Sequence, residues 1–158
     1  MNEGTVLAKN LFQKIVDIKP TRAKLGHGSF ITIDFGRDIS EQIKTRNGPV
    51  TRYFGEWHLW VYMCAWRIDK DKKPFVGSED SREKIENSLS ELAARDFKGI
   101  EILDNAFDAK LHFGSDMELH LFSFYTEDET QWMLFTPENK VFNAGPNCKW
   151  SYCDSDKS

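Results

Sequence analysis

The segment Trp57–Ile68 constrains the fold more than any other part of the chain. Both of its parities are apolar: Trp57, Leu59, Val61, Met63 and Ala65 on one, Trp60, Tyr62, Cys64 and Trp66 on the other. Successive side chains of a strand point to opposite faces, so a strand that is apolar on both parities is covered on both sides. The segment therefore predicts a central strand, with Trp57, Trp60 and Trp66 either filling a core or presenting an aromatic contact surface. Core packing is the simpler reading, because each ring removes a large area from water. His58 interrupts one apolar parity, so it requires a polar partner or a place at the edge of the sheet.

The rest of the chain supplies companions for this strand. Val6, Leu7, Leu11, Ile15 and Ile18 recur at helical spacing and predict a helix over residues 5–17, capped by Thr5 and barred from continuing by Pro20. Ile15–Ile18 also reads as a short strand. Ile85, Leu89 and Leu92 predict a second helix over 81–94, with Ser78 or Ser81 as its cap. Phe30–Phe35 reads as a strand, the polar stretch 37–49 as a long loop, and 69–74 as a turn. Beyond Gly99 the pattern is a meander, with strands at 100–103, 109–113, 117–124, 131–135 and 141–142. The sum is one α+β domain over 1–158, with a frayed tail at 151–158. Its sheet is largely antiparallel and strongly curved, with about six to eight strands. Two helices are few for such a sheet, which leaves one face to curvature or to a second subunit.

Composition narrows the functional classes. The net charge is -4 and the basic residues are interleaved with acids, as in Arg67–Lys73, so nucleic acid is not an expected partner. No run approaches the roughly 18 apolar residues that a membrane span needs, and the first residues lack a basic start followed by an apolar stretch. Three cysteines, an odd number, fit a reducing compartment, and the cytoplasm is the expected location.

Chemistry has few footholds. In the hairpin around Gly114-Ser115-Asp116, residue 113 should pair with 117 and 112 with 118, so Lys110, His112, Glu118 and His120 share one face. Two histidines and a carboxylate can bind zinc or move protons, yet one hairpin closes no coordination shell, and such residues normally line a solvent face. Cys148 and Cys153 lack a second ligand pair and read as free thiols; Cys64 reads as a core residue. Ser81-x-x-Lys84 lacks the companion motifs of serine acylases, and no glycine-rich phosphate loop is present. No catalytic residue, metal or cofactor is therefore expected.

One resemblance adds to this reading. Leu111-x-Phe113-Gly114-x-x-Met117-x-Leu119-x-Leu121-Phe122, Trp132-x-Leu134-Phe135-x-Pro137 and Gly145-Pro146-x-x-x-Trp150 resemble the closing pattern of small bacterial cytoplasmic proteins. Some families of that group are similar to immunity proteins, which neutralise toxins of competing cells. Asn147 stands where the pattern usually has glycine. The resemblance implies a non-enzymatic interaction protein whose partner is a toxin or a second copy of the chain. The alternative is a small-molecule binding module with an aromatic-lined pocket. The side chains expected to carry either role are His58, Trp60, Trp66, His112, Glu118 and His120.

Overall fold

The apolar segment does not run through as one strand. In the computed structural model, which describes residues 2–103, 106–127, 129–145 and 149–155, it is divided between two sheets. The described elements follow in the order α1 (Glu3–Gln13), β1 (Arg22–Leu25), β2 (Ile31–Thr45), β3 (Gly48–Val61), β4 (Ala65–Lys70), β5 (Lys73–Gly77), α2 (Arg82–Ala93), β6 (Phe97–Ile102), β7 (Ala109–Phe113), β8 (Met117–Phe122), β9 (Trp132–Phe135), β10 (Lys140–Ala144) and β11 (Trp150–Asp154). One antiparallel sheet has the order β1-β2-β3-β9-β10-β11, and the other β5-β4-β8-β7-β6. The α+β class is as expected. The single curved sheet of six to eight strands is replaced by two sheets of six and five.

The crossing explains the double-faced pattern. Trp57, Leu59 and Val61 are buried at the end of β3. The chain then leaves the first sheet, its last ties to that sheet being Tyr62 N–H to Gln131 O (3.0 Å) and Met63 N–H to Thr130 O (3.3 Å). When it enters the second sheet the buried positions have moved to the other parity: Cys64, Trp66 and Ile68. Each half buries one face, and the two faces belong to different sheets. Trp57 and Trp66 are therefore core residues, and the Trp66 indole N–H donates to Ser29 O (2.7 Å). Trp60 points away from the core, half-buried beside Phe30 and Tyr62.

Each sheet covers the other, so no second subunit is needed to close the core. Phe35, Trp132 and Phe142 of the first sheet and Phe97 and Phe113 of the second are fully buried, and Phe12 of α1 joins Phe97 to Trp132 at ring separations of 5.9 and 5.8 Å. The Trp132 indole N–H donates to the carbonyl of Phe107 (3.0 Å), a non-glycine residue held at φ +64°. Helix α2 packs against β1 and β5 through Ile85, Leu89 and Leu92, and the Arg95 guanidinium forks onto Asp116 at 2.7 and 2.8 Å, tying the end of the helix to the β7–β8 turn.

Several expectations are corrected. Asn2, not Thr5, caps α1 by accepting from Thr5 N–H (2.7 Å), and the helix ends at Gln13 rather than near 17. Its buried apolar stripe is Ala8, Leu11 and Phe12, with Ile15 buried just beyond the helix, while Val6 and Ile18 are exposed. Ser81 does cap α2, accepting from Lys84 N–H, which assigns that serine to capping. The stretch 37–49 is not a loop: it forms the outer parts of β2 and β3, paired from Asp38↔Gly55 to Thr45↔Gly48. Little of this arm is buried, so its sequence shows no apolar alternation. The turn at 69–74 contracts to Asp71 and Lys72, both at positive φ, the geometry that suits a two-residue hairpin. Within the expected frayed tail, residues through Asp154 pair with β10, and Pro146-Asn147-Cys148 lie outside the described residues. Neither described helix is long and apolar enough to cross a membrane.

Gly4 shows how tightly α1 is seated. A Cβ placed there would lie 2.4 Å from the Trp150 ring. Helix propensity alone would make Gly4→Ala stabilising by up to about 1 kcal/mol. Overpacking against an indole reverses the sign, and the variant should lose about 1–3 kcal/mol in denaturant unfolding.

Candidate functional site

The outer face of the five-stranded sheet carries a compact set of charged side chains. Register aligns them in two cross-strand rows: Asp69 (β4), Glu118 (β8) and His112 (β7), then Arg67 (β4), His120 (β8), Lys110 (β7) and Glu101 (β6). The β7–β8 pairing is the expected one, 113 with 117 and 112 with 118, so His112, Glu118 and His120 do share a face. What the hairpin pattern could not reveal is Asp69, brought alongside by β4.

Asp69 and His120 form the centre. The buried Asp69 carboxylate accepts from Arg67 Nε (2.7 Å). His120 Nε2 is sealed from solvent and stands 3.1 Å from Asp69 Oδ2 and 3.2 Å from Glu118 Oε2, at angles that make a hydrogen bond with neither. Burial pushes the Asp69 carboxyl up, but the Arg67 hydrogen bond and the charges of His120, Arg67 and Lys110 outweigh it and hold the group below its usual range. His112 turns Nε2 to Glu101 Oε2 (2.6 Å) and keeps Nδ1 3.8 Å from Glu118 Oε1. The Glu101 carboxyl is lowered chiefly by that hydrogen bond.

His58 lies elsewhere, on the outer face of the six-stranded sheet. Its Nδ1 is hydrogen-bonded to Asp34 Oδ1, and Arg22 donates to Asp34 Oδ2 (2.9 Å) and to Asp38 (2.6 Å). The pairing Asp34↔His58 across β2 and β3 answers the demand for a polar partner that the sequence made. Burial raises the Asp34 carboxyl, and the hydrogen bonds and charge of His58, with the hydrogen bond from Arg22, reverse this and leave it lowered. The rings of Phe54 and Phe135 flank His58 at 6.2 and 5.7 Å. This cluster supplies two donors to one buried acceptor, an arrangement that stabilises the sheet.

The remaining candidates separate. Trp66 is core, and Trp60 belongs to a surface aromatic group. A cavity of about 290 Å³ is lined by Ala106, Ser123, Phe124, Tyr125, Thr126, Gln131 and Gly145, and by neither tryptophan. Beside it stand large apolar side chains left in solvent: Phe122 at 58% exposure, Phe124 at 52%, Tyr125 at 40% and Leu103 at 57%. The Phe124 and Tyr125 rings lie 4.4 Å apart. Leu103 N–H and Ser123 N–H both bond to Asp108, which brings the two segments together. Phe122 continues the outer parity of β8 two positions beyond His120, so the charged rows run into this apolar patch. Cys64 is buried, which pushes its thiol up to about 12 and removes it from nucleophilic chemistry. Comparison with protein-family models, curated proteins and solved structures finds no match to this chain.

Removing the Asp34 acceptor tests the second cluster. Asp34→Ala should cost about 2–4 kcal/mol at pH 7, because it strands two partly buried donors. The sign with pH follows from the lowered carboxyl. Its stabilisation is present above the unfolded value near pH 4 and is lost as pH falls through the folded one. Denaturant unfolding at stepped pH should show the gap between wild type and variant narrowing below about pH 4.

Proposed function

We propose that this chain is a non-enzymatic interaction protein that neutralises a protein partner in the manner of an immunity protein. The observation that carries the reading is the contiguous exposed patch of Phe122, Phe124, Tyr125 and Leu103 beside the shallow cavity. Exposed apolar side chains scattered singly are ordinary, whereas a cluster with two aromatic rings in contact and an adjacent recess is the form of a binding hot spot.

Charge specifies the chemistry of the partner. The stretch 111–139 holds six carboxylates, Asp116, Glu118, Glu127, Asp128, Glu129 and Glu138, and no lysine or arginine. An apolar anchor in so acidic a stretch of sequence suits a basic protein surface, with the acids steering encounter and the aromatics setting residence time.

The test is co-purification of the tagged chain with the products of neighbouring genes in its source organism. The outcome that supports the reading is a basic protein retained by wild type, released by raised salt, and lost to a Phe122→Ser/Phe124→Ser double variant that melts like wild type. Losing both rings should weaken such a complex by about 2–4 kcal/mol, or some thirty- to a thousand-fold. Equal retention by wild type and variant would overturn the assignment of the surface. A wild-type dimer that the double variant splits would identify the patch as a self-contact instead.

A further inference from the structure

The charged face of the five-stranded sheet has a feature that ion pairing alone does not explain. His120 Nε2 is inaccessible to water and has no hydrogen bond, although two carboxylate oxygens stand within 3.2 Å of it. An imidazole with a proton on Nε2 would turn that N–H onto one of them; one with a bare Nε2 would be repelled by both. Three ligand atoms converging at this spacing, none bonded to another, is what a shared cation requires. We propose that Asp69, Glu118 and His120 bind one divalent first-row transition-metal ion of the zinc class.

Geometry and chemistry agree on that class. The candidate ligand atoms all lie within 4.8 Å of one another, and the two distances from Nε2 are 3.1 and 3.2 Å. Ligands about 2.0–2.1 Å from a tetrahedral zinc are separated by roughly 3.3–3.4 Å, and an octahedral ion of that size brings them to roughly 3.0 Å. One imidazole with two carboxylates is a borderline donor set that suits zinc, cobalt or nickel better than calcium, which favours oxygen alone. Two anionic ligands balance the charge of the dication itself.

The surroundings resemble the outer shell of a metal site. The Arg67 guanidinium holds both oxygens of Asp69, Nε on Oδ1 (2.7 Å) and Nη2 on Oδ2 (3.2 Å), and Oδ2 also faces His120 Nε2 at 3.1 Å. His112 stands just outside this set: its Nε2 is fixed by Glu101, while Nδ1 faces Glu118 at 3.8 Å. Because Asp69 comes from a different hairpin, the ion would pin β4 to β8 and stabilise the second sheet. This inference does not depend on the partner proposed above.

The experiment is calorimetric titration of the full-length protein, stripped with chelator, with zinc chloride alone and then with cobalt chloride followed by absorbance. The expected result is one ion per chain, a rise in melting temperature, and a cobalt spectrum without thiolate charge transfer. Changing groups behind metal ligands costs about 10–100-fold in affinity, so losing a ligand should cost at least that. Glu118→Gln, which keeps the shape of the side chain, and His120→Ala should each show it. If His120→Ala fails to fold, Glu118→Gln alone decides. The proposal is overturned by the absence of binding, by unchanged affinity in Glu118→Gln, or by thiolate bands that place the ion on cysteine.

Discussion

The short crossing from Val61 to Ala65 is the constraint on which the rest of the structure depends. It carries the chain from one sheet to the other and moves the buried positions from odd to even numbers on the way. Two open sheets then face each other, and Trp57 and Trp66 sink into a core they share with Phe12, Phe97 and Trp132. Neither sheet could bury its apolar face alone, because two helices of 11 and 12 residues cover too little area. With the inner faces spent on each other, the outer faces are left for polar chemistry and for contact.

The outer faces solve their electrostatics differently. On the six-stranded sheet one buried carboxylate, Asp34, takes donors from both sides, and the cluster is complete. On the five-stranded sheet two carboxylates and an imidazole converge without bonding to each other. A satisfied buried network rigidifies, while an unsatisfied buried group calls for an explanation, here the proposed ion. The apolar patch at Phe122–Tyr125 extends the same face, which therefore holds both candidate roles of the protein.

How much of this was legible depends on how local each cause is. The β7–β8 register could be read because a tight turn and alternation act within a few residues of each other. Helix α2 and its Ser81 cap were legible for the same reason. His58 announced its need for a partner by interrupting an apolar parity, and Asp34 interrupts Phe30–Phe35 in the same way. Asp69 was invisible as a site residue because β4 meets β8 only through long-range pairing. The β2–β3 arm was hidden because it buries so little and shows no period. The division of Trp57–Ile68 was hidden because a change of parity and a two-faced strand produce the same apolar run.

That ambiguity is also where the account is most exposed. A single central strand would bury Trp60 and Trp66 alike, whereas two strands in two sheets bury Trp66 and leave Trp60 on the outside. The direct measurement is denaturant unfolding of Trp66→Ala beside Trp60→Ala. The account predicts a loss of about 3–5 kcal/mol for Trp66→Ala and of about 1 kcal/mol for Trp60→Ala. Equal losses of several kcal/mol would contradict it.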